Sequence, residues 1–304
     1  MLLTGLFYII VPILLIGLLA FKRQSSILLW IFTVLSLGSV IAYLWGVARW
    51  DIVSIYFRPI FPILFLIASF IGFKRIKKPK TPQKKIFLIS TIVFNLVIII
   101  FMSGLNWFSF KGYATPKNAI NLTSPFRNGK QIILHGGSSP FTNGHFHVKP
   151  QNYALDIVGL NNLGMRASSI AGGSDLDNYE IYGELIFSPC DGVVVVVVDE
   201  YNDQNPPKTD IKHIAGNHIL IKSGDNEILL AHLKKGSIKV KAGDIVTTNT
   251  LLGQVGNTGN TSEPHLHLHV ENGGKPETIL NGKAIPFTIN EQFLVRGDIL
   301  EFKN

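Results

Sequence analysis

The chain has 304 residues, of which 47% are hydrophobic and 16% charged, and its net charge is +8. The charge is uneven, because residues 1–110 hold eleven of the 28 Lys and Arg side chains but a single acid, Asp51. This basic excess falls in short loops between apolar runs, so it reads as a topology signal and not as a nucleic-acid footprint. No nucleic-acid partner is expected.

Four apolar stretches come first in chain order. Residues 1–21 and 24–48 carry no charge, 59–73 extends backwards through 52–57 with Arg58 near one end, and 86–105 is the fourth. Each approaches the ~20 residues that cross a ~30 Å hydrocarbon core. The first has no basic residue ahead of it and Lys22-Arg23 behind it, the wrong polarity for a signal peptide. The connection at 74–85 is strongly basic and holds Pro79 and Pro82, whereas the second connection offers Arg49 balanced by Asp51. The positive-inside bias then places the first and third connections in the cytoplasm. Both termini, and everything after the fourth span, fall outside. Trp107, Phe108 and Phe110 stand where an outer aromatic belt would lie. Arg58 is near enough to the outer end to snorkel, and Asn95 reads as a hydrogen bond to a neighbouring helix. With no carboxylate inside a span, the region is expected to be a multi-pass anchor in the lipid bilayer.

The expected organisation is a four-helix transmembrane region over 1–110, a linker over 111–125 and an all-β domain over 126–304. That domain is expected to be an antiparallel sheet or sandwich. Residues 193–198 are six valines, as in a strand buried on both faces. Further strands are expected at 218–223, 227–233, 237–240, 251–255 and 265–270, separated by turn signals such as Gly224-Asp225-Asn226 and Ala242-Gly243-Asp244. Residues 160–187 and 199–215 read as long loops. The single cysteine, Cys190, excludes an intramolecular disulfide and reads as a small buried hydrophobe at a strand entry. Stability must then come from the core, with or without a metal.

The most informative stretch is Pro264-His265-Leu266-His267-Leu268-His269-Val270. In a strand, residues two apart share a face, so three imidazoles line one side and the leucines enter the core on the other. Adjacent imidazoles repel when charged, and a divalent metal binding their neutral form relieves that conflict. Asp156, an acid among apolar residues in Ala154-Leu155-Asp156-Ile157-Val158, is costly there unless paired or metal-bound. His232 likewise interrupts the apolar run Leu229-Leu230-Ala231-His232-Leu233, and His145 and His147 lie upstream of Asp156. The two share a strand parity, so alternation leaves both open.

Together the upstream His and Asp, then Ala231-His232-Leu233, then a Gly-rich turn leading into Pro264-His265-Leu266-His267, resemble the lysostaphin-type zinc metallopeptidases that cut peptidoglycan peptides. The resemblance spans about residues 130–275. It implies that Asp156 and His267 ligate Zn2+ and that His265 and His232 are the catalytic, non-ligand histidines. The usual first ligand stands four residues before the aspartate, where this chain has Asn152. In the relatives with a Gln-x-Tyr-Ala-x-Asp segment a histidine lies further upstream, which implies His145 as the third ligand, with His147 as the alternative. His269 is a candidate supporting residue or alternative ligand. His135, His213 and His218 match no motif position and are expected to be surface or hydrogen-bonded.

The function implied is that of a membrane-anchored zinc metalloendopeptidase acting on peptidoglycan peptides in cell-wall remodelling. Two rivals are a non-catalytic wall-binding or regulatory module of the same fold, and a membrane sensor with an outer receptor domain. A regulatory membrane partner is left open.

Overall fold

The computed structural model describes residues 1–77, 84–274 and 278–301. The chain forms two compact units, Met1–Phe110 and Lys111–Asn304.

The first unit consists of four helices, α1 Leu2–Phe21, α2 Ile27–Val47, α3 Phe57–Lys74 and α4 Lys85–Lys111. All four are long and apolar enough to cross a membrane. Ser26 caps α2 by accepting a hydrogen bond from the Leu29 amide. Leu19, Leu37, Ile41, Phe65 and Ala68 pack between helices. Leu14, Phe70 and Ile100 are among the many apolar side chains left facing outward. The Ser36 hydroxyl on α2 donates to Asn95 Oδ1 on α4 at 2.5 Å, the kind of polar tie used between helices in lipid. Arg58 Nε donates to the Trp45 carbonyl, and its guanidinium lies 4.2 Å over the Trp45 ring.

The third span does not extend backwards through 52–57 as expected. A short 3-10 turn, Trp50–Ile52, precedes it, and α3 begins only at Phe57. Proline at 59 explains the break: in a helix begun earlier its missing N–H and its ring would disrupt the ladder, whereas in a first turn neither matters. Of the basic connection at 74–85, residues 78–83 lie outside the described residues.

The second unit is mainly antiparallel β-sheet. Its strands are β1 Ile120–Leu122, β2 Lys130–His135, β3 Leu155–Gly159, β4 Leu185–Phe187, β5 Gly192–Val198, β6 His218–Ser223 and β7 Asn226–Ala231. They continue with β8 Ile245–Val246, β9 Leu251–Gln254, β10 Leu266–Asn272, β11 Lys283–Ala284, β12 Phe287–Ile289 and β13 Ile299–Glu301. The main sheet runs β13-β2-β3-β10-β7-β6-β5-β8, with β11 also paired to β10. Two small ribbons, parallel β1–β12 and antiparallel β4–β9, stand apart from it. The core lies between them, joining Ile157, Ile221, Leu230, Leu266 and Leu268 of the sheet to Ile186, Leu252 and Phe287 of the ribbons.

Period-two alternation positions the site. On β10, Leu266, Leu268 and Val270 enter the core, so His267, His269 and Glu271 point to the opposite face. Leu155 and Ile157 on β3 do the same and turn Asp156 outward, and the register sets His267 directly opposite Asp156. Leu229 and Ala231 of β7 join Ala215 and Leu220 in a small apolar cluster on this second face.

Several local expectations are corrected. β1 lies inside the stretch read as a linker, and Phe126 beside it is fully buried. The valine strand β5 is not buried on both faces: Val194 is in the core, but Val193 is exposed and 195–198 are half-buried. Its second face meets only a small cluster among the described residues, with Val195 and Val196 packed against Leu220 and Leu229, and on its outer edge β5 pairs with the two-residue strand β8. Residues 237–240 form no strand, although the Lys239 amide donates to the Leu252 carbonyl. β7 ends at Ala231, and His232 turns out of it with φ 64°.

The Gly-rich turn is seated tightly against the loop before β6. Gly259 has φ 83°, and a Cβ there would lie 2.4 Å from the Gly216 nitrogen. Positive φ and backbone overlap each penalise a side chain. Gly259→Ala is expected to lower stability by about 2–4 kcal/mol. Denaturant unfolding of the detergent-solubilised chain measures this, and an unchanged midpoint would contradict the seating described.

Candidate metal centre

Five side chains converge on the second face of the sheet. Asp156, only 5% exposed, brings each oxygen to a different imidazole: Oδ2 is 2.8 Å from His145 Nε2, and Oδ1 is 2.8 Å from His267 Nδ1. His265 Nε2 lies 3.6 Å from Oδ1. The His232 ring is 4.7 Å from that of His265 and 5.9 Å from that of His267. His145, Asp156 and His267 each offer one ligand atom with all three within 4.8 Å of one another, and His232, His265 and His267 do the same. A carboxylate and neutral imidazoles so gathered fit a divalent ion with N and O preferences.

The position of His145 follows from one buried side chain. His145 lies on a turn, not on a strand, so strand parity does not apply to it. The Asn143 amide nitrogen donates to the carbonyls of Gly137, Asn152 and Ala154, and its Oδ1 accepts from the His145 amide. This clamp ties the turn to the start of β3 and lets His145 reach an aspartate eleven residues later. The Gly144 amide donates to His135 Nδ1, a second tie. His147, two residues on, is exposed and stacks edge-on against Phe146. Asn152 contributes its backbone carbonyl to the clamp.

His232 and His265 are held differently. His232 Nδ1 donates to the Thr258 carbonyl at 2.8 Å, and His265 Nδ1 to the Glu263 carbonyl at 2.9 Å. With Nδ1–H committed to a carbonyl, each ring presents its Nε2 as a lone pair. The Thr258 carbonyl belongs to the Gly-rich turn, which explains the tight seating of that turn. His269 lies behind His267, its Nδ1 2.9 Å from His267 Nε2. The three histidines outside the motif are hydrogen-bonded: His135 as above, His218 to the Gly216 carbonyl and His213 to Asp210. Cys190 packs against the core, and burial pushes its thiol up to about 11.

Electrostatics separates these groups. Burial alone would raise the Asp156 carboxyl, but His145, His265 and the hydrogen bonds from His145 and His267 outweigh it and hold it well below the usual range. Burial would lower His145, yet Asp156 wins and raises it. For His232 burial dominates, reinforced by His265 and His267, and its pKa falls well below the ordinary value. Burial likewise takes His267 to about 3 despite the Asp156 contact. A cleft of about 300 Å³ opens over the group, lined by His145, His232 and His267 with apolar Val148, Ile214 and Leu229.

Besides Asn143, two further supporting residues do not stand out in the sequence. Arg166 Nε donates to Glu263 Oε2 at 2.6 Å, and both side chains are buried. Nothing local marks Arg166, which lies 97 residues from its partner in an irregular segment.

Residues 171–279 match the model of peptidase family M23, a stretch that includes His232, His265 and His267 but not His145 or Asp156. The peptidoglycan DD-endopeptidase ShyA of Vibrio cholerae is 33% identical over 124 residues, 39% of this chain and 26% of that protein. The chain thus spans about a quarter of the length of the curated relative it matches. Among solved structures, a zinc-containing peptidase from Vibrio cholerae is 29% identical over 31% of this chain and 24% of that one, with a TM-score of 0.24. The catalytic domain of lysostaphin from Staphylococcus simulans is 18% identical over 49% of this chain and 84% of that one, with a TM-score of 0.29.

Because the Glu263 carbonyl fixes the His265 ring, the Arg166–Glu263 pair underpins the site. Replacing one partner leaves a buried charge uncompensated. Arg166→Met is expected to destabilise the protein by about 3–5 kcal/mol, read as a fall in Tm, and an unaltered Tm would show the pair to be dispensable.

Proposed function

We propose that the chain is a membrane-anchored zinc metalloendopeptidase that hydrolyses peptide bonds of peptidoglycan. The observation that carries this reading is the pair of imidazole nitrogens, His145 Nε2 and His267 Nδ1, each 2.8 Å from a different oxygen of the buried Asp156. The M23 match and the likeness to a peptidoglycan endopeptidase support the substrate class.

On this reading His145, Asp156 and His267 hold the ion. Bound there, zinc would polarise the scissile carbonyl and lower the pKa of a water to about 7. His232 and His265 carry the proton. Each has Nδ1–H on a backbone carbonyl, so Nε2 can take a proton from the attacking water as the C–O bond forms. The same nitrogen, now N–H, stabilises the oxyanion and then passes the proton to the departing amine as the C–N bond breaks. The cleft admits the peptide, and its apolar wall excludes water from one side.

The four helices anchor this unit, and the basic residues at 22–23 and in 74–85 put the second unit, with both termini, on the extracytoplasmic side of a bacterial cell membrane.

The purified chain in detergent is expected to carry one zinc and to release peptides from purified peptidoglycan, read by mass spectrometry. His145→Ala and His267→Ala should lose the metal, whereas His147→Ala should keep both metal and activity. His232→Ala and His265→Ala should keep the metal and lose roughly 10²–10⁴-fold in kcat. Zinc loss on changing His147 but not His145 would overturn the ligand assignment. A C-terminal tag is expected to be reachable by antibody on intact spheroplasts, and labelling only after permeabilisation would reverse the orientation.

A further inference from the structure

The proposed chemistry uses His267 on the outward face of β10, and His265 just before that strand, but leaves His269 and Glu271 without a task. His269 is 1% exposed and Glu271 fully buried. Polar groups so placed are costly unless partnered, and their contacts form a line. His267 Nε2 meets His269 Nδ1 at 2.9 Å, and His269 Nε2 faces Glu271 Oε1 at 3.8 Å with no hydrogen-bond partner among the described residues. Glu271 is itself fixed, since Oε1 accepts from the Leu280 amide at 2.9 Å and Oε2 from the Gly282 amide at 2.7 Å. Gly282 permits this approach, because a Cβ there would lie 2.9 Å from Oε2.

We propose that Glu271 and His269 are positioning residues that fix which nitrogen of His267 is available to the metal. The inference rests on the zinc reading above. A carboxylate accepts only, so it favours the His269 tautomer with its proton on Nε2. His269 Nδ1 is then a lone pair, and the 2.9 Å contact is made by the His267 Nε2–H donating to it. With an ion in place of the proton that otherwise links His267 Nδ1 to Asp156 Oδ1, Nδ1 would then be the lone pair offered to it, on the side of Asp156 and His145. His269 stands one ring behind the ligand and belongs to neither group of convergent ligand atoms. It is therefore a support for His267 and not a fourth ligand. Orienting partners of this kind commonly change metal affinity 10- to 100-fold.

The test measures zinc affinity of the full chain in detergent by competition with a chromophoric chelator, with circular dichroism and Tm recorded for each variant. His269→Leu removes the acceptor and is expected to weaken zinc binding about 10- to 100-fold. His269→Asn, whose Oδ1 can stand near the lost Nδ1, is expected to restore most of that loss. Glu271→Gln keeps the shape without the charge and is expected to weaken binding about tenfold, which keeps the idea testable if the leucine variant fails to fold. Wild-type affinity in folded His269→Leu and in Glu271→Gln would overturn the string while leaving the zinc centre standing. Equal loss in His269→Leu and His269→Asn would also overturn it, since packing alone would then matter. A wild-type chain that takes up no zinc would overturn the centre and the string together.

Discussion

A carboxylate cannot remain buried on its own, and the second unit is organised around that constraint. Asp156 sits on β3 at 5% exposure, beside β10 and opposite His267 in the ladder. Removing its charge from water would be severely unfavourable without partners. Both oxygens meet imidazole nitrogens at 2.8 Å, one supplied by the adjacent strand and one by the turn before β3. The strand partner is placed by antiparallel register, which the core side of the same strands enforces through Leu155, Ile157, Leu266 and Leu268. A slip of one residue would put the histidines into the core and the leucines into the cleft.

Around that pair the backbone assigns the remaining histidines their states. Carbonyls of Thr258 and Glu263 take the Nδ1 protons of His232 and His265. Burial depresses the pKa of His232, His267 and His269, so these rings stay neutral near pH 7. Neutral imidazoles are what metal binding and proton acceptance both require. Loops that carry no chemistry of their own are thus responsible for it, above all the Gly-rich turn whose Thr258 carbonyl would be displaced by a side chain at Gly259.

The four apolar helices were legible because length and lack of charge are enough to mark them. The face of β10 was equally plain, because alternating His and Leu has one reading in a strand. What the sequence hid depended on contacts distant along the chain. Asn143 looks like any loop asparagine, yet its amide places His145 next to Asp156. Arg166 meets Glu263 across 97 residues, which no local pattern records. The valine run misled because composition reports β-propensity but not whether anything packs over the second face. His232 falls inside an apolar run that predicts a strand, whereas its positive φ takes it out of β7 and over towards Thr258.

The origin of His145 gives the proposed centre a mechanical asymmetry. Two of its three ligands are locked into adjacent strands of a hydrogen-bonded sheet, and the third stands on a half-buried turn fastened by Asn143 and by the Gly144–His135 bond. Strand ligands part only when the ladder opens, while a turn swings away once its tie is broken. An ion held there would therefore enter and leave on the His145 side, and the ties through Asn143 and Gly144, which offer it no ligand atom, would set how fast it exchanges.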